Sequence, residues 1–231
     1  MSERFSPRLD VLPLAQRELW PWLKPSIGLG FVLYGGTAIA LQLGHRTSVD
    51  FNFFTDRPLD KAGIRQRFAF MESATVLQDE LNTLTAIVPS LSGQGGFVNV
   101  SFFGGIEIGR VGVPQETDEG VTLVASLDDL MATKVKVLLQ RVEAKDYQDV
   151  AAMLEHGVNL SKGLAAARLM YGNQFQPSEA LKAMVYFEGG DLQLLTDRTK
   201  DGLLAALQSI SELPHVNLLS HHLSTEGDVV L

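Results

Sequence analysis

The chain has 231 residues, 45% of them apolar and 12 of them Phe, enough for one full-sized domain or a catalytic domain with a helical extension. Nineteen Lys and Arg against 27 Asp and Glu leave a net charge of −8, which argues against a protein that coats nucleic acid by releasing counterions, though not against one that touches an RNA end through a local basic patch. With no cysteine, disulfides, zinc–thiolate sites and cysteine nucleophiles are excluded; a start without a signal-like apolar core and the lack of any apolar run near about 18 residues lead us to expect a cytoplasmic protein with no membrane span.

In chain order, residues 1–8 read as a loose arm, and apolar positions from Leu9 to Leu23 recur at helical spacing, predicting an amphipathic helix that ends at Pro21 or at Lys24-Pro25. Phe31 to Tyr34 reads as a buried strand, and Gly35-Gly36 as a tight turn. Thr37 is placed to cap a short helix from Ala38 to Leu43, which Gly44 ends. Val49 to Phe54 is a second strand, followed by a helix from Pro58 to about Phe70. Strands follow at Thr75 to Gln78, Asn82 to Val88 and Phe97 to Phe103, with strand-like pieces at Glu107 to Val113 and Gly120 to Val124. From Ser126 the texture turns helical: a capped helix with Asp128-Asp129 in its first turn, a second around Asp146 to Glu155, then segments 161–171, 177–187 and 199–210. This order predicts an α/β body over residues 1–125 and a mainly helical region over 126–231, packed as one unit with the first.

The stretch from Phe31 to Thr55 organises the chain. A glycine turn opening a helix offers unpaired backbone N–H groups to a phosphate. On the following strand Asp50 and Asn52 are two apart and share one face, while Val49, Phe51 and Phe53 share the other. That is the layout of a site for metal-bound phosphates.

GGTAIALQLGHRTSVDFNFF, LDDLMATKVKVLLQR and KDYQDV, spread over roughly residues 31–154, together resemble the AbiEii/AbiGii-type nucleotidyltransferase toxins of the DNA polymerase β-like nucleotidyltransferase superfamily. The resemblance implies an α+β fold: a polymerase β-like nucleotidyltransferase domain, a mixed sheet with flanking helices, followed by a mainly helical C-terminal region. It implies an NTP substrate, Mg²⁺ (or Mn²⁺) as cofactor, an acceptor that is RNA (for example the 3′ end of tRNA) or protein, and a bacterial toxin–antitoxin or abortive-infection setting with a cognate antitoxin. By the same resemblance Gly35, Gly36 and Thr37 contact the β- and γ-phosphates, with Arg46 and Ser48 of the Arg-x-Ser segment beside them, and Asp50 with Asn52 holds the metal. Lys134 meets the nucleotide phosphates, and Asp146, with Lys145 and Asp149, orients that lysine or the nucleotide. The implied catalytic set is Asp50, Asn52, Lys134 and Asp146.

Position 52 departs from the family's Asp-x-Asp strand. An asparagine ligates a metal through its carbonyl oxygen but brings no charge, and Ser101 occupies the expected place of a third strand carboxylate. Two outcomes are open: an enzyme that works with one metal, or a catalytically impaired protein that keeps the fold and binds a nucleotide or a partner.

Other residues have plainer readings. Arg46 is equally a surface ion-pair partner or a phosphate contact, and Asp146 and Asp149, three apart on a helix, suit an ion pair with Lys145 or Arg141 or else a metal. His215, His221 and His222 read as a polar tail. Phe51, Phe53, Phe54, Phe97, Phe102 and Phe103 read as core. Base preference and oligomeric state leave no mark in the sequence.

Overall fold

The alternation along Asp50–Phe54 is realised in the computed structural model, which describes residues 4–94 and 96–225: Phe51 and Phe53 are fully buried, while Asp50, Asn52 and Phe54 stand on the opposite, half-open face. The chain divides into two units. One takes in the chain up to Gly109, Val113–Ala125 and the segment from Ser220; the other takes in Arg110–Gly112 and Ser126–Leu219.

The first unit is built on an eight-stranded mixed sheet. Its strands are β1 (Arg4–Phe5), β2 (Val32–Tyr34), β3 (Asp50–Phe54), β4 (Thr75–Glu80), β5 (Thr83–Pro89), β6 (Phe97–Phe103), β7 (Gln115–Thr117) and β8 (Leu123–Val124), in the spatial order β1-β7-β8-β2-β3-β6-β5-β4. β3 runs antiparallel to β2 and parallel to β6, with Asp50 opposite Asn99 and Asn52 opposite Ser101. The buried face carries Phe51, Phe53, Val100, Phe102, Leu84 and Ala86. The Phe102 ring is its centre, 5.2 Å from Phe31, 5.5 Å from Phe53 and 5.2 Å from Phe68, and Trp20 covers Phe51 at 6.1 Å. Burying each such ring contributes about 1.5–3 kcal/mol, so this face anchors the strand whose other face is left half-open.

Several local expectations are corrected. The single helix from Leu9 to Leu23 is instead a 3₁₀ turn at Leu9–Val11, α1 (Leu14–Leu19), a 3₁₀ turn at Trp20–Leu23 and α2 (Pro25–Gly28), because Pro13, Pro21 and Pro25 each withhold an N–H and restart the chain. Arg4 and Phe5, expected in a loose arm, pair with β7; residues 1–3 of that arm lie outside the described residues. Helix α3 (Gly35–Leu43) begins at the glycines rather than after Thr37, and ends as expected at Gly44 with φ 69°. Helix α4 (Lys61–Arg67) starts later than Pro58 because the Asp60 carboxylate accepts the Gly63 N–H at 2.9 Å and caps it. No strand forms from Glu107 to Val113 beyond an isolated bridge at Arg110, β7 begins only at Gln115, and Phe97 is 71% exposed rather than part of the core.

The second unit is helical: α5 (Leu127–Val137), α6 (Ala144–Glu155), α7 (Leu160–Tyr171), α8 (Pro177–Met184) and α9 (Asp197–Gln208). Ser126 caps α5 by accepting the Asp129 N–H at 3.1 Å. Gly163 lets α7 close on α5, since a methyl group there would collide with the Met131 side chain. A mixed sheet with flanking helices followed by a mainly helical region is the α+β architecture expected of the sequence. Among the described residues no helix is long and apolar enough to cross a membrane.

Candidate functional site

Chain direction brings the glycine turn and the acidic strand together. β2 ends at Tyr34 and α3 starts immediately, with Gly35 at φ 79° and no side chain capping the first turn. Its leading N–H groups have no intrahelical partners, so the turn presents donors and the positive end of a nine-residue helix. Tyr34 pairs with Asn52 across the β2–β3 ladder, and a Cβ on Gly35 would lie 3.2 Å from the Asn52 amide nitrogen. Thr37 and Ser48 are buried. The Thr37 hydroxyl donates to the Asp50 carbonyl, so the Ser48 hydroxyl, 2.7 Å away, supplies the proton of the bond between them. Both side chains are therefore spent on holding α3 against the start of β3. Arg46 is half-buried and donates to the Thr47 carbonyl at 2.9 Å.

On the half-open sheet face Asp50 and Asn52 sit beside Asn99 and Ser101 of β6. The Asn99 amide donates to Asp50 Oδ1 at 3.0 Å, and Ser101 Oγ accepts from Thr85 Oγ1 at 3.2 Å. The four positions supply one carboxylate and three neutral oxygen donors. Among the described residues no group of three or more His, Cys, Asp or Glu is arranged to hold a metal ion. Such a set fits one Mg²⁺ completed by phosphate and water oxygens, since Mg²⁺ commonly takes only one or two protein carboxylates beside a nucleotide. It does not fit a pair of ions, whose charge calls for more than one anionic ligand.

In the helical unit Lys134 Nζ lies 2.6 Å from Asp146 and 2.6 Å from Asp149, with both carboxylates fully buried. Arg141 closes on Asp146 from the other side at 2.7 and 3.0 Å. Burial works against ionisation of Asp146, but the Arg141 hydrogen bond and the Lys134 charge outweigh it and hold the carboxyl below its usual range. The pairing raises the Arg141 guanidinium in turn, with the Asp146 hydrogen bond as its main cause. Lys145 points elsewhere, to Glu143 at 2.8 Å, and is exposed.

Three features escaped the sequence reading. Asn99 is legible only through the β3–β6 register, which the alternation of VNVSFF hints at without fixing. Asp129, read as a first-turn acid, is buried and accepts the Val111 N–H at 2.7 Å, the Gly112 N–H at 3.2 Å and the Ser126 hydroxyl at 2.6 Å; burial nonetheless pushes its carboxyl up. Asp56, just beyond β3, accepts the Leu223 N–H at 3.0 Å and pairs with His222 at 2.9 Å, so part of the expected polar tail is fastened to the sheet unit.

Comparison with known proteins agrees with this architecture. At 14% identity the chain resembles the nucleotidyltransferase toxin MenT4 of Mycobacterium tuberculosis, with a TM-score of 0.57 over 85% of this chain and 82% of that one. It resembles a candidate nucleotidyltransferase from H. pylori at 14% identity, with a TM-score of 0.56 over 84% of this chain and 90% of that one. An uncharacterized protein of Aquifex aeolicus is 27% identical over 170 residues, 72% of this chain and 78% of its own. The model of the nucleotidyl transferase AbiEii toxin family of type IV toxin–antitoxin systems matches residues 23–207, which take in the glycine turn, β3 and the Lys134 cluster alike. The chain belongs to the AbiEii nucleotidyltransferase toxin family.

Proposed function

We propose that this protein transfers a nucleoside monophosphate from an NTP to an acceptor hydroxyl on RNA, such as the 3′ end of a tRNA, or on a protein, with Mg²⁺ (or Mn²⁺) as cofactor. As a toxin it acts on bacterial growth in the cytoplasm, held in check by a cognate antitoxin. The observation that carries the proposal is the contact between the uncapped first turn of α3 and the Asp50–Asn52 face of β3. Donors for phosphate and a carboxylate for metal are thereby adjacent, as a metal–triphosphate complex needs.

The acceptor oxygen forms a bond to the α-phosphorus, the bond from that phosphorus to the bridging oxygen breaks, pyrophosphate leaves, and the acceptor proton passes to water. The backbone N–H groups of Gly35, Gly36 and Thr37 bind the β- and γ-phosphates and hold the leaving group. Thr37 acts through its backbone because its hydroxyl is committed to Asp50 and Ser48. Asp50 and Asn52 hold the divalent ion, which when bound neutralises phosphate charge and polarises the phosphoryl group.

The test is incubation of the protein with each α-labelled NTP, Mg²⁺ and either tRNA or cell lysate. Label on an acceptor supports the proposal, and its absence with all four nucleotides overturns it. A second reading is favoured by the single carboxylate on the sheet face: a nucleotide-binding protein that has lost turnover. Nucleotide binding without transfer, unchanged by Asn52→Asp, would support that reading.

A further inference from the structure

The register of β3 and β6 sets four side chains side by side on the half-open face, Asp50 with Asn99 and Asn52 with Ser101, and only Asp50 is anionic. We infer that this chain loads its nucleotide with a single divalent ion, for which Asp50 is the one charged protein ligand, and that Asn99 is the positioning residue that turns Asp50 toward it. The inference rests on the nucleotide-binding reading above.

An ion that arrives on a triphosphate already carries anionic phosphate oxygens, so one carboxylate with neutral oxygens suffices to seat it. A second ion, away from the phosphates, would depend on protein charge. The neighbouring positions offer the amide of Asn52, the hydroxyl of Ser101 and the amide of Asn99, all neutral, and Ser101 is buried and bonded to Thr85. Asn99 donates to Asp50 Oδ1 at 3.0 Å, which restrains the rotation of the carboxylate. This is the hydrogen bond by which an outer residue orients a metal-binding carboxylate. Asn99 itself is exposed, so replacing it leaves the core intact.

The experiment counts Mn²⁺ bound to the full chain in the presence of a saturating non-hydrolysable NTP analogue, using the electron paramagnetic resonance signal of free Mn²⁺, with nucleotide binding followed separately by dialysis. The wild type is expected to hold one Mn²⁺ per bound nucleotide, and the Asn52→Asp/Ser101→Asp double variant two. Asn99→Ala is expected to weaken Mn²⁺ binding about tenfold, with metal-free nucleotide affinity unchanged and Asn99→Gln partly restoring it. Two ions, or none, per bound nucleotide in the wild type would overturn the single-ion inference while leaving nucleotide binding in place. Equal losses of metal-free and metal-dependent binding in Asn99→Ala would overturn the positioning role. Failure to bind the nucleotide at all would overturn the nucleotide reading and this inference with it.

Discussion

Asn52 lies against Gly35: a methyl group on the glycine would stand 3.2 Å from the asparagine amide nitrogen, at a backbone φ of 79° that side chains rarely adopt. Turn and strand are thus fitted to each other, and a side chain at position 35 would press on the Asn52 amide. Gly35→Ala therefore costs about 1–2 kcal/mol of stability through the left-handed backbone alone. It also displaces Asn52 and weakens nucleotide binding. Urea denaturation and calorimetric nucleotide titration measure the two effects separately.

At position 52 itself, restoring a carboxylate adds a negative ligand where the strand now offers an amide. Asn52→Asp is expected to raise label transfer roughly tenfold, the equivalent of about 1.4 kcal/mol in the barrier, and to make expression more toxic to the host. Unchanged transfer and unchanged growth would count against a metal-binding role for this side chain.

Lys134 is the cation on which two fully buried carboxylates converge. In Lys134→Met, Asp146 retains Arg141, but the buried pair has lost the charge it shares. Breaking a buried pair by removing one partner costs about 3–5 kcal/mol, and a loss of that size should appear in denaturant unfolding of the helical unit.

Acid should weaken the same cluster. The Asp146 carboxyl is held below its ordinary range, so its contribution to stability is fully present above that range and is lost as pH falls through the depressed native value. Asp129 has the opposite sign, because burial raises its carboxyl and its contribution is lost as pH rises through the raised value. Thermal denaturation from neutral to acid pH separates them: Asp146→Asn should flatten the acid-side loss of stability relative to wild type. An unchanged slope would show that Asp146 is not the group responsible.

Much of the fold was legible where local pattern and tertiary burial agree. The alternation of Asp50–Phe54 and of Phe97–Phe103 survives because one face of each strand enters the aromatic core around Phe102. The capped start at Ser126 survives because a hydroxyl and a backbone N–H three residues on need no distant partner. Patterns that depend on distant chain were not legible. The exposure of Phe97 depends on where β6 meets the sheet's half-open face, and Asn99 acquires its partner only when β3 and β6 pair. The family resemblance was carried by short motifs and needed no knowledge of the fold, and it named Asp146 and Asp149 beside Lys134, whereas the partners of Thr37 and Ser48 required the fold.

Calorimetric titration of each NTP, with and without Mg²⁺, into the wild type and Asp50→Asn tests the central claim most directly. The account predicts Mg²⁺-dependent binding of at least one NTP to the wild type, and loss of the Mg²⁺ dependence when the Asp50 carboxylate is removed. No binding of any NTP, or an Asp50→Asn variant that keeps the full Mg²⁺ dependence, would contradict it.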